Sequence, residues 1–287
     1  MMHLLGIDDI RHPLVEIIDM EKAVNPQKFN GSAISIGFYM IVYKERNCGP
    51  LTYGLSKYDY DSGTLLFFAP DQEIGIEDVG DPRGKILMFS PDLLSRTLLD
   101  TMMHRYTFFS YAVNEALHIS EREKEQFFSA LASIEEELEH PQDKHSRELV
   151  VTLIQLLLSH SLRYYDRQFI SREVVNAEHG DQFRKLLMDY YNTNALHKNG
   201  MPNVRYFADK MNMTPNYFGD MIKKSLGVSP LQYIQEYVIS LAKQQLLASK
   251  SSISEIAYGL GFEYPQYFTR LFKKITGQTP NEFRTAN

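Results

Sequence analysis

Residues Ile253–Phe262 read ISEIAYGLGF, Pro265–Lys274 read PQYFTRLFKK, and Gly277–Pro280 read GQTP. Ile253, Ile256, Ala257 and Leu260 recur at helical spacing and form the inner face of a short helix. Ala257 is small where two helices must cross closely. Gly261 supplies the left-handed backbone that reverses the chain. Pro265 suits the first turn of a second helix, where no intrahelical N–H bond is lost. Phe268, Leu271 and Phe272 make the buried stripe of that helix, leaving Gln266, Thr269, Arg270 and Lys273 outside. Two short helices, a tight turn and an outer face bearing amide and guanidinium groups are helix-turn-helix grammar.

The same pattern occurs fifty residues upstream. Pro215, Tyr217, Phe218, Lys223, Lys224, Gly227 and Pro230 match Pro265, Tyr267, Phe268, Lys273, Lys274, Gly277 and Pro280. Before the second helix the offset is forty-nine: Val204, Phe207, Ala208, Met211 and Met213 match Ile253, Ile256, Ala257, Leu260 and Phe262. The second copy therefore has one extra residue in its turn. Leu231–Ala248 joins the copies as one helix, roughly 27 Å long at 1.5 Å per residue. That length suits two reading helices in successive major grooves, about 34 Å apart on B-DNA.

The chain has 287 residues, enough for two domains. Its net charge of −6 divides unevenly. Residues 181–287 hold 13 basic and 8 acidic side chains, net +5, and residues 1–180 hold 17 and 28, net −11. A basic module for a polyanion is thus joined to an acidic module that avoids one. The acidic part begins as β. Along Ala33–Tyr43, Ile34, Ile36, Phe38, Met40 and Val42 alternate with Ser35, Gly37 and Tyr39, predicting a strand with one dry face. Strands at Thr64–Ala69 and Lys85–Phe89 lie between Gly/Pro turns, as in a small barrel or sandwich. After about Pro91 the pattern is helical. Phe127, Leu131, Ile134 and Leu138 have coiled-coil spacing and are expected as a homodimer seam within residues 120–165. Ser171–Gly180 is aperiodic, ends in Gly and is read as a linker. The expected organisation is 1–170, a sensor and dimerisation domain; 171–180, a linker; and 181–287, a helical DNA-binding domain.

The C-terminal motifs closely resemble the DNA-binding domain of the AraC/XylS family of bacterial transcription regulators. The resemblance runs through Ile253–Phe262, Tyr267–Lys274, Gly277–Pro280 and Phe283-Arg284. It implies a seven-helix module with two helix-turn-helix units. It also implies a transcription regulator, an activator, that binds double-stranded promoter DNA and contacts RNA polymerase. By that similarity the base-facing positions are Asn216, Gly219 and Asp220 in the first unit. In the second they are Pro265, Gln266, Tyr267, Thr269 and Arg270. Arg270 suits guanine and Gln266 adenine, and Lys223, Lys224, Lys273 and Lys274 suit phosphates. Three departures stand out. Tyr264 replaces a frequent Ser, Val238 replaces a usual Arg, and Gly219-Asp220 replaces longer, often basic residues. The N-terminal half resembles, by pattern alone, the family's cupin-like β-barrel sensor with appended helices. The overall class expected is α+β.

Other chemistries lack their residues. Histidine is absent between His12 and His104, which removes the usual metal site of a cupin enzyme. A DNA-repair fusion needs an activated cysteine, whereas Cys48 stands in Asn47-Cys48-Gly49-Pro50, flanked directly by neither a basic residue nor a histidine that would lower its pKa. No enzyme activity, cofactor or metal is expected. Phe38, Tyr39, Tyr53, Tyr58 and Phe67 are candidates for a small-effector pocket. Asp8 and Asp9 interrupt the N-terminus before any signal-like stretch, and Leu149–Leu158 is about half the roughly 20 residues a membrane span needs. A soluble, cytoplasmic chain is expected.

Overall fold

A computed structural model describes residues 11–22, 32–45, 52–53, 56–57, 63–76, 83–112, 115–171, 173–193, 196 and 200–286. The chain divides into two compact units, Met1–Ser171 and Arg172–Asn287.

The first unit contains strands β1 (Val15–Asp19), β2 (Ser32–Ser35), β3 (Tyr39–Lys44), β4 (Thr52–Tyr53), β5 (Ser56–Lys57), β6 (Thr64–Phe68), β7 (Glu73–Ile76), β8 (Gly84–Phe89) and β9 (Leu117–His118). Five of them form an antiparallel sheet in the order β1-β8-β3-β6-β9, and β2–β7 and β4–β5 make two ribbons. Met40 pairs with Phe68 and Ile41 with Phe67, so the register alternates cleanly across the sheet. The expectation of a single dry face fails here. Met40, Val42, Leu66, Phe68 and Met88 form one apolar cluster, as expected. Ile41 and Tyr43, on the opposite face, are just as buried. That face is covered by aromatics from Phe108, Phe109 and Phe127.

Among the described residues four α-helices follow: α1 (Pro91–Leu94), α2 (Leu98–Met102), α3 (Glu121–Glu139) and α4 (Ser146–Ser171). Ser120 and Glu123 form a reciprocal capping box that starts α3. Phe127, Leu131, Ile134 and Leu138 are buried within the chain, at 9% exposure or less. They are therefore not a homodimer seam: α3 packs against α4, and Phe127 lies 6.0 Å from the Tyr43 ring on the sheet. The heptad-like spacing marks a helix between two layers. α4 also closes the sheet edge. Buried Gln168 accepts from the His118 N–H at 2.7 Å and donates to the Ala116 carbonyl at 3.1 Å. Its amide thus replaces the neighbouring strand that β9 lacks on that side.

The second unit is helical: α5 (Glu173–Asn192), α6 (Val204–Lys210), α7 (Pro215–Leu226), α8 (Pro230–Ala248), α9 (Ile253–Gly259), α10 (Pro265–Thr276) and α11 (Pro280–Ala286). The stretch 171–180, read as a linker, is helical on both sides of residue 172. Gly180 does not punctuate the chain. It sits inside α5, and a Cβ there would stand 2.6 Å from Ser225 Oγ and 3.1 Å from Leu226 Cδ2 on α7. The glycine is a close helix crossing rather than a break. Phe183, three residues on, is fully buried against Phe207, Phe218 and Tyr233, joining α5 to the first repeat and to α8.

Candidate nucleic-acid interface

The two repeats fold alike, each from its own local signals. Asn203 caps α6 by accepting from the Tyr206 N–H, and Ser252 with Glu255 forms a capping box at α9. Each turn then needs one left-handed residue. It is Asn212 (φ 55°) in the first unit and Gly261 (φ 88°) in the second, the same position at the offset of forty-nine. Asparagine tolerates that backbone. At Gly261 a Cβ would stand 2.7 Å from both the Met201 backbone nitrogen and Leu196 Cδ1, so only glycine fits. Met201 donates its N–H to the Gly261 carbonyl at 3.0 Å, fastening the turn to the preceding loop. The sequence reading found Gly261 but missed Asn212, whose signal was its register with Gly261.

The second helix of each repeat, α7 and α10, starts on proline and ends on a left-handed glycine, Gly227 and Gly277. Thr214 caps α7 by accepting from the Tyr217 N–H. Tyr264 offers α10 no side-chain cap, consistent with its standing where Ser is frequent. α10 buries Phe268 and Phe272 completely. Its opposite side exposes Gln266, Tyr267, Arg270, Lys273 and Lys274, one stripe at helical spacing, with Pro265 and Thr269 partly covered at its edge. In α7 the corresponding stripe is Asn216, Gly219, Asp220, Lys223 and Lys224, with Gly219 and Asp220 half-buried. Each stripe ends in a lysine pair at the helix C-terminus, where cations are favoured. Thr269 returns its hydroxyl to the Pro265 carbonyl at 3.0 Å.

α8 holds the units together. Val238, Ile239, Ala242 and Leu246 pack on Ile256, Ala257, Phe268 and Phe272. Val238 is fully buried, so at the position where Arg is usual this chain has core. Arg284, given no role by the sequence reading, donates to the Leu246 carbonyl at 3.3 Å and the Ser251 carbonyl at 2.7 Å. It thereby ties α11 to the end of α8.

The capping carboxylates carry a pH dependence. Hydrogen bonds from the Ser252 backbone and hydroxyl hold Glu255 below the usual carboxylate range, and Thr279 does the same for Glu282. A lowered folded pKa gives stability that is present above the ordinary value and lost as pH falls through the folded one. Thermal midpoints should therefore decline below about pH 4.5, and Glu255→Gln with Glu282→Gln should flatten that decline.

Among the described residues, the candidate effector residues Phe38, Tyr39 and Phe67 do not line one pocket. Phe67 lies in an aromatic core with Phe108 at 4.4 Å and Tyr165 at 6.0 Å, beside a cavity of about 10 Å³. That is no larger than one water. Tyr39 stacks on Phe89 at 5.2 Å, and Phe38 packs against the other face of the sheet. The Tyr53 side chain, Tyr58 and Cys48 lie outside the described residues. Among the described residues no group of three or more His, Cys, Asp or Glu side chains could hold a metal ion. None of the described helices is long and apolar enough to cross a membrane.

A family model described as "Helix-turn-helix domain" matches residues 207–286. The bifunctional transcriptional activator/DNA repair enzyme AdaA of Bacillus subtilis is 33% identical over 99 residues, 34% of this chain and 46% of that protein. The arabinose operon regulatory protein of Escherichia coli is 34% identical over 79 residues, 28% of this chain and 27% of that protein. The C-terminal domain of AraT, a response regulator from Geobacillus stearothermophilus, is 26% identical, with a TM-score of 0.34, covering 38% of this chain and 85% of that one. This chain thus spans less than half the length of the two curated relatives. With the repeated two-helix units, their left-handed turns and their basic-ended faces in place, residues 207–286 are a helix-turn-helix domain of the AraC type.

Proposed function

We propose that the chain is a sequence-specific transcription regulator whose two helix-turn-helix units read adjacent major-groove segments of promoter DNA. The observation that carries this reading is the pair of exposed stripes on α7 and α10, each ending in two lysines, on otherwise buried helices. The second unit supplies most of the base discrimination. Its stripe offers a guanidinium and an amide, whereas the first offers Asn216 and Asp220 around a glycine. Arg270→Ala is expected to cost about 1–3 kcal/mol at the specific site and to relax preference at one or two base pairs. Lys273→Ala should weaken all sequences about equally. Competition binding with specific and scrambled duplexes separates the two. An unchanged sequence preference without Arg270 would assign it to phosphate instead.

The acidic first unit is read as a cupin-like sensor for a small effector, placed away from the Tyr39–Phe67 core. Activation through RNA polymerase, in the cytoplasm and without enzymatic chemistry, completes the reading. The activator part alone is supported by likeness to AdaA, whose printed name joins a transcriptional activator to a DNA repair enzyme. Self-association is proposed through α4, where Leu149 and Leu156 are nearly half exposed one heptad apart. Sedimentation of the full chain should show a dimer that Leu149→Asp/Leu156→Asp converts to monomer. A monomeric wild type at tens of micromolar would refute that placement.

A further inference from the structure

Tyr217 and Tyr267 are the same residue at the same place in the two repeats, yet their surroundings are opposite. Tyr217 is 1% exposed, and Tyr267 is 56% exposed. In the first unit the ring serves packing. In the second it stands on the surface beside two other exposed tyrosines, Tyr258 and Tyr264. Tyr264 meets Tyr267 edge-on at 5.7 Å between ring centroids. The Arg270 guanidinium also lies over the Tyr267 ring, with Cζ 5.3 Å from the centroid. That is within cation–π range. The ring also borders an open cleft of about 840 Å³. A large aromatic side chain left in water, in contact with both a neighbouring ring and the one guanidinium of the exposed stripe, is not explained by the fold.

We propose that Tyr267 and Arg270 act as one stacked reader of two adjacent base pairs, a thymine beside a guanine. This rests on the DNA-reading role of α10. Arginine bonds guanine O6 and N7 through a planar, bidentate fork, which requires the guanidinium plane to be set before contact. The Tyr267 ring holds that plane and costs little rotamer freedom, since tyrosine has only two side-chain torsions. A ring stacked on the guanine-bound guanidinium then faces the neighbouring base pair. The apolar group displayed in the major groove there is the thymine 5-methyl. Tyr267 is thus a positioning residue for Arg270 and a direct contact for the methyl. The first unit carries Asp220 at the position of Arg270 and buries Tyr217, so it contains no such pair.

The test is binding-site selection from random duplexes by the full chain, its Tyr267→Phe and its Tyr267→Ala. Wild type and Tyr267→Phe should enrich the same thymine-next-to-guanine step, because the ring face is retained. Tyr267→Ala should still bind DNA, with the thymine preference gone and the guanine preference weakened. Replacing that thymine by uracil in the selected duplex removes only the methyl. It should lower wild-type affinity about fourfold, the worth of one buried methyl group, and leave Tyr267→Ala unchanged. The proposal is overturned if Tyr267→Ala selects the same step as wild type, or if wild type binds the uracil duplex as tightly as the thymine one. A wild type that enriches no sequence overturns the DNA-reading role as well.

Discussion

The fragment Arg172–Asn287 should fold alone and bind duplex DNA with an affinity that collapses as salt is added. Its boundary follows the compact second unit. Four lysines, two in the last turn of α7 and two in that of α10, are the proposed phosphate contacts. With about four phosphates contacted, the logarithmic salt slope is about −3.6, a roughly 150-fold loss between 50 and 200 mM. Each lysine replaced by alanine should lower the slope by about 0.9. A fragment begun at Asp181 removes the first eight of the 20 residues of α5, with the Gly180–Ser225 contact, and should melt earlier. Fluorescence anisotropy against salt measures the slope. A folded fragment with salt-independent affinity, or none, refutes this reading.

Phe268→Ala should be the most damaging single substitution in the second unit. Phe268 is fully buried, touching Phe262 at 5.3 Å and Phe272 at 5.7 Å, in the cluster that joins α8, α9 and α10. Removing a buried ring of this kind costs about 3–5 kcal/mol. A typical domain has about 5–15 kcal/mol in total. The urea midpoint of the fragment should fall sharply with an unchanged slope, and DNA binding should fail with it. Tyr267→Ala, one residue away on the exposed side, should stay within about 0.5 kcal/mol of wild type. Equal losses at both positions would show that α10 presents a different face.

These contrasts explain what the sequence made readable. The second unit was legible because it is written twice. Matched prolines, glycines and phenylalanines located both turns and both buried stripes without any long-range contact being known. Where one face of an element is buried, periodicity names that face. Where both are buried it misleads, as at β3, whose Ile41 and Tyr43 lie under helical aromatics that follow much later in the chain. α3 failed for a related reason. Spacings of four and three describe a seam but not whether its partner is α4 or another molecule. Gly180 was misread because a glycine required by a helix crossing and one that ends a helix look alike in one dimension. Of the reading stripe, Arg270 and Gln266 stood out by chemistry. The exposure of Tyr267 against the burial of Tyr217 required coordinates.

The proposed pairing of two helix-turn-helix units on one connecting helix makes a definite demand on DNA. α8 has 19 residues, about 28 Å at 1.5 Å per residue, close to one turn of duplex. Binding-site selection by the full chain from fully random duplexes examines that demand. The enriched sites should contain two short blocks centred about 10 base pairs apart, with the sharper preference in the block lost on Arg270→Ala. Enrichment of a single block unaffected by Arg270, or no enrichment at all, would contradict a protein that reads two successive grooves.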